Sequence, residues 1–597
     1  MTGTALTKPL ELHYQLRLLR PTTHLLEIEI RAEKVAGASL DFVMPAWSPG
    51  RYAIYDFAKN VQEFRAEGEA GEPLPWEKVD KQTWRVETLQ ARGVVRVMYR
   101  VFANDLSGTF SQFDTSHANL NGASLFLFVA GHERDPITLS VEAPKDWKVI
   151  SGYSLSPEQK IFQVPDYGRL VDTPMEMSAD CRLEQFEESG KTIRVAVHSY
   201  GDDDGDLTEL VKSLKKIVRS QLASMPEPDL DHYTFIFHFA PHIQMGDGME
   251  HSNSTQIVIR GELSGGDLTE TMETASHEFF HLWNVKRLRP ASLVRTDYTR
   301  EQYTRSLWFG EGLTSYYAFL HLMRSGVWTR EKFLDRMARE IRTLELEPGR
   351  ELMSAESSSF HAWFYDRSPQ MQQTNFANTT INYYNKGAVL ALLLDLEIRA
   401  RTDGRKSLDD VMLAMYEKFY GSNPTGGEPE RGYKDKDIVD AASAAAGSDL
   451  RPFFERYVRG TEPLPYEASL ATAGLELRVA TSPDAPPTLG ILTQPDDRGV
   501  RVAAVRPGRA ADRGGLSRDD LLIAVDDLSL ATEGIRERLS IYPPGAEVPF
   551  TVERHGRLQR ISVILDPPIP DQYSLELLSE PNPQQRKVRD GWLGSEN

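Results

Sequence analysis

Residues 277–281 read His-Glu-Phe-Phe-His, and the types and spacing of the three polar members are those of a hydrolytic metal centre. On a helix, positions four apart share a face, so His277 and His281 can offer two imidazoles to one cation while Glu278 stands beside them, off the metal. With 14 histidines in 597 residues, this pattern arises by chance only about 0.03 times in such a chain. A catalytic zinc takes three protein ligands and leaves a fourth position to water, so a third donor must come from elsewhere. Glu311 is the candidate. It lies in a second helical stretch, "SLWFGEGLTSYYAFL", between Gly310 and Gly312, whose missing side chains would let two helices approach closely. Taken alone, Glu311 also fits a surface acid near a helix start. Zinc lowers the pKa of a bound water toward about 7, and a carboxylate one helical position away can take the proton and pass it to a leaving amine. Glu278 is placed for that role.

The elements that must position these groups follow from the hydrophobic pattern. Residues 11 to about 185 alternate in short stretches such as "LHYQLRLL", "LLEIEIRA" and "VVRVMYRVFA", broken by Gly, Pro, Asn and Asp clusters, which predicts an antiparallel β-sandwich over 1–190. Within it, the aromatic, Pro- and Gly-rich "FVMPAWSPGRYAIYDF" at 42–57 reads as an ordered loop. Residues 191–465 read as an α+β unit: strands "YTFIFHFAP" and "STQIVIRG", then helical patterns at 267–286, 300–325, 329–345, 384–402 and 406–420. A long irregular stretch, "LELEPGRELMSAESSSFHAWFYDRSPQMQQTNFANTT", interrupts them. Strands return over 466–570, and 571–597 is a polar tail that reads as frayed.

Composition narrows the function. The chain is 40% hydrophobic and 26% charged, with net charge −19 and pI ≈ 5.3. That average field repels nucleic acid and anionic membranes. No run of eighteen apolar residues exists and the start carries no secretory pattern, so a cytoplasmic enzyme is expected. The single Cys181 excludes an intrachain disulfide and a thiolate-rich metal site.

"HEFFHLWNVKRLRP" (277–290), "GEGLTSYY" (310–317) and "MPAWSPGRY" (44–52) resemble the signatures of the glycyl aminopeptidase family within the glutamate-liganded zincins. The resemblance covers nearly the whole chain. It implies a thermolysin-like catalytic domain and one zinc held by His277, His281 and Glu311, with Glu278 as general base. "GDGMEHSNS" at 246–254 resembles the edge-strand motif of aminopeptidase N relatives, with His251 replacing their Asn and Asp247 interrupting the glycines. Carried over, Gly248, Met249, Glu250 and His251 bind substrate, Glu250 taking the α-ammonium group of a peptide's free N-terminus. Tyr384, in "NYYNKG", resembles the tyrosine that donates to the oxyanion of the tetrahedral intermediate, and Tyr383 is the fallback. The expected reaction is release of N-terminal Gly or Ala.

"VRPGRAADRGGLSRDDLLIAVDD", with "TLGI" before it and "TEGIRERLSIYP" after, resembles a bacterial PDZ domain. Arg518-Asp519-Asp520 stands where Gly-Asp is usual and Asp526-Asp527 where Asn-Gly is usual. A PDZ groove would bind a peptide C-terminus by strand addition. Two competing readings remain at this level: a PDZ-recruited zinc endopeptidase, and a non-catalytic peptide-binding scaffold with a vestigial site.

Overall fold

The computed structural model describes residues 8–365, 373–421, 429, 431–530 and 534–594. The first residues of the chain, part of the irregular stretch and the start of "TEGIRERLSIYP" lie outside the described residues.

The N-terminal part is β-rich, as its alternation requires. A six-stranded sheet runs in the order Ile161–Val164, Ile137–Glu142, Glu11–Arg20, Leu25–Glu33, Val94–Phe102 and Val61–Glu67. Strand Glu11–Arg20 buries alternate residues Leu12, Tyr14, Leu16 and Leu18, each worth roughly 1.5–3 kcal/mol of apolar burial. Its pairing with Ile137–Glu142 is parallel, whereas the other pairs of this sheet are antiparallel. Two four-stranded sheets complete the module; one is ordered Lys148–Ser151, Met175–Ser178, His117–Leu120 and Gln112–Phe113.

A five-stranded sheet begins the next part, ordered Arg182–Glu188, Lys191–Ser199, His232–Phe239, Ser254–Ile259 and Asp247–Glu250. The three middle strands pair in parallel and are covered on both faces, which explains the continuous apolar run of His232–Phe239. Asp247–Glu250 adds antiparallel at the edge. Helix Thr269–Phe280 packs against the edge strands of this sheet, Leu313–Arg324 packs on that helix, and Arg330–Leu346 and Tyr383–Arg401 pack on Leu313–Arg324 in turn. The last is buried on nearly every side and forms the axis of the helical body.

Two helix readings change. The helix expected over 267–286 ends at Phe280; the chain then turns back sharply, with Val285 at φ +83°. The pattern at 300–325 becomes regular helix only at Leu313, after a π-helical turn, Trp308–Gly312. Both breaks occur where the candidate ligands sit.

Toward the C-terminus, Leu475–Ala480 pairs with Gln572–Leu577, and between them lies a separate antiparallel sheet with helices Ala510–Gly514 and Ile535–Leu539. Asp519, Asp526 and Asp527 adopt φ of +69°, +47° and +61°. Aspartate tolerates this left-handed region better than most residues, so it serves in turns where glycine or asparagine is usual. The tail is not frayed over its described residues. Pro583–Leu593 is a helix with a capping box at Asn582, and Val588 and Trp592, four apart, are buried. Trp592 Nε1 donates to Tyr316 Oη at 2.8 Å. Two anchors on one face outweighed a polar composition. Among the described residues no helix is long and apolar enough to cross a membrane.

Candidate active site

His277 occupies the last turn of helix Thr269–Phe280 and His281 caps it. Their Nε2 atoms are 2.9 Å apart, and Glu311 Oε2 lies 3.4 Å from the first and 3.1 Å from the second. Bonds of about 2.0–2.1 Å to a tetrahedral zinc would put ligand atoms about 3.3 Å apart, so the triad fits such an ion. His281 Nδ1 is 3.0 Å from the Asn284 carbonyl, to which it can only donate, so in the neutral ring that a metal requires Nε2 carries the lone pair. His277 Nδ1 meets Ser315 Oγ at 3.3 Å. The rings cross at 81°, which lets both lone pairs converge.

Electrostatics agree with the geometry. Burial opposes charge on His281, yet Glu311 lifts it to about 10. Burial also opposes ionisation of Glu311, but the charge of His281 and hydrogen bonds from both imidazoles hold it well below the carboxylate range. His277 is pushed down, chiefly by burial. The cluster demands positive charge, which a divalent cation supplies.

The two helix breaks build this triad. The Asn284 amide ties the first break to the π-turn carrying Glu311, donating to Phe309 O at 2.9 Å and Gly310 O at 3.1 Å. Gly312 abuts Gly387 so closely that a Cβ on either would overlap backbone of the other helix. That contact seats Tyr384 beside the triad, its ring centroid 6.0 Å from that of His277, while Tyr383 is buried.

These groups line a cavity of ≈ 280 Å³ with Gly50, Arg51, Gly248, Glu250 and Glu278. Burial raises the Glu278 carboxyl to about 8, with His281 pulling it down and Glu250 pushing it up. One buried oxygen each of Glu278 and Glu250 has no hydrogen-bond partner. Strand alternation turns Gly248 and Glu250 toward the cavity; at Gly248 any side chain would overlap the Glu278 carboxylate. Met249 and His251 do not line it. Met249 is buried beneath the strand, and His251 Nδ1 faces Asp172 Oδ1 at 3.2 Å, beside Lys286.

Sequence reasoning missed Arg51 and Asp247. Arg51, from the loop at 42–57, donates to Asp247 Oδ1 at 2.6 Å, Gly248 O at 2.7 Å and Thr109 Oγ1 at 2.9 Å. Asp247 Oδ2 accepts from the Gly108 N–H at 2.8 Å. The residue that interrupts the glycine motif thus anchors the edge strand to the N-terminal module. An arginine among residues that read as buried was the available cue, since a buried guanidinium requires a carboxylate partner. Arg51→Ala removes the buried cation that neutralises Asp247 and is expected to cost about 3–5 kcal/mol of stability, read as a lowered urea midpoint.

Comparison with known proteins follows the same lines. Residues 13–179 match the profile of the peptidase M61 N-terminal domain, and residues 270–390 match that of M61 glycyl aminopeptidase. The chain is similar to the crystal structure of an aminopeptidase N family protein from Idiomarina loihiensis, with 26% identity and a TM-score of 0.88 over 98% of this chain and 100% of that one. An M1 zinc metallopeptidase from Deinococcus radiodurans aligns over 77% of this chain and 96% of its own, with 13% identity and a TM-score of 0.46. No curated protein sequence matches. With two models of the M61 peptidase family matched in order along one chain, and the likeness to a solved structure extending end to end, the protein is a metallopeptidase similar to the M61 family.

Proposed function

We propose that the protein is a zinc aminopeptidase that releases a small N-terminal residue, Gly or Ala, from peptides. The observation that carries this reading is the partnerless buried oxygen of Glu250, in the same cavity as the His277, His281 and Glu311 triad. A carboxylate held this way gains most from a cationic partner, and the α-ammonium of a free N-terminus is one.

Zinc on the triad would polarise the scissile carbonyl and acidify a water. Glu278 takes the proton from that water and delivers it to the leaving amine. Tyr384 donates its hydroxyl to the oxyanion, and Glu250 with the backbone at Gly248 fixes the N-terminal residue. Met249 and His251 act indirectly, by packing the strand in place. Gly50, at φ +91°, lies so close to Glu250 that a Cβ there would be 2.7 Å from Oε1. Crowding at that end of a small cavity supports the preference for Gly and Ala.

For the C-terminal module the PDZ assignment remains our reading, supported by its turns and by an apolar groove of ≈ 230 Å³. Ile491, Ile535 and Leu539 line it together with the chain's own Pro486, Pro487 and Pro568.

A panel of aminoacyl chromogenic substrates, assayed with and without a chelator, tests the proposal. Glycyl and alanyl derivatives should be cleaved fastest, with activity abolished by chelation and restored by zinc; chelator-resistant turnover rejects it. Tyr384→Phe should lower kcat about a hundredfold with KM little changed, since one oxyanion donor is worth about 3 kcal/mol.

A further inference from the structure

A second polar cluster lies outside this cavity, where the N-terminal module meets the five-stranded sheet. His117 and Glu176 come from neighbouring strands of the module, and His198 and His238 are register partners on parallel strands of the sheet. All are at most 3% exposed. Glu176 Oε2 accepts from His238 Nε2 at 2.9 Å and lies 3.2 Å from His117 Nδ1. Glu176 Oε1 and His198 Nδ1 face each other across 3.8 Å, and neither has a hydrogen-bond partner. Asp180 Oδ1, on an exposed side chain, is 3.5 Å from the same nitrogen.

Folded proteins rarely leave two facing polar atoms both buried and unpaired unless an ion or water joins them. Here the donor set is imidazole and carboxylate, with one ligand atom each from His117, Glu176 and His198 within 4.8 Å of the others. Such a set suits zinc and related divalent cations. Outer hydrogen bonds orient it: His117 Nε2 meets Gln112 Oε1 at 3.2 Å, and His238 holds Glu176.

We propose that His117, Glu176 and His198, with Asp180 at the mouth, form a second divalent-cation site, for zinc, that ties the N-terminal module to the five-stranded sheet. The His117 and His198 rings are nearly parallel, 4.2 Å between centroids and 10° apart. Both lone pairs converge only if the rings splay, so this site binds more weakly than the crossed pair His277 and His281.

The test is zinc counting on the full chain together with anomalous diffraction from zinc-equilibrated crystals at the zinc edge. The wild type should hold about two equivalents, and His277→Ala/His281→Ala about one. His198→Ala should lose only the weaker equivalent and keep glycyl-substrate turnover within about twofold. An anomalous peak between His198 and Glu176 is expected. One equivalent in the wild type and none in the double variant, or water density there without anomalous signal, overturns the proposal. Should His198→Ala fail to fold, the wild-type map still decides.

Discussion

In Glu278→Gln, turnover falls by roughly 10³–10⁴-fold while zinc content is unchanged, because the substitution removes the proton acceptor and leaves all three ligands. Glu278 sits one residue from His277, and its carboxylate lies against Gly248 at the cavity wall. Glutamine fills the same volume and retains a hydrogen-bond acceptor, so the loss isolates proton transfer. Kinetics with elemental analysis on the same sample checks it. More than a tenth of wild-type activity would remove Glu278 from the mechanism, and loss of zinc would make it a ligand instead.

Glu250→Gln has the second large effect, and it falls on one class of substrate. A buried carboxylate that pairs with an ammonium group is worth several kcal/mol to that partner. Replacing it should lower kcat/KM for free-amine substrates about 10²–10³-fold while barely changing the slow cleavage of N-acetylated ones. Because Glu250 Oε1 is buried without a partner, the same change should leave the folded protein no less stable, as a thermal melt would read. A uniform loss on both substrates, with a lower Tm, would mean that Glu250 is structural.

What was legible in the sequence was what local spacing encodes. His277, Glu278 and His281 share one helical turn, and the glycines beside Glu311 announced the close approach that Gly312 and Gly387 make. Strand alternation announced the β-rich module. The Arg51–Asp247 pair was hidden because its members are 196 residues apart. Likewise His117, Glu176, His198 and His238 come from separate strands of two sheets, and only tertiary packing gathers them. Helix ends near the triad were misplaced because apolar periodicity runs on through "HLWNV", whereas the bond from His281 Nδ1 to the Asn284 carbonyl turns the chain back. The tail helix was missed because its two buried anchors are outnumbered by polar neighbours.

In the proposed function, a metal centre and a carboxylate clamp together read a free N-terminus. Incubating the zinc-loaded protein with a Gly-Ala-Ala peptide and with its N-acetylated twin, and identifying products by mass spectrometry, tests it most directly. Free glycine is expected as the first product from the unblocked peptide, with at least about a hundredfold slower cleavage of the blocked one. Equal cleavage of both, or a first cut at an internal bond, contradicts it.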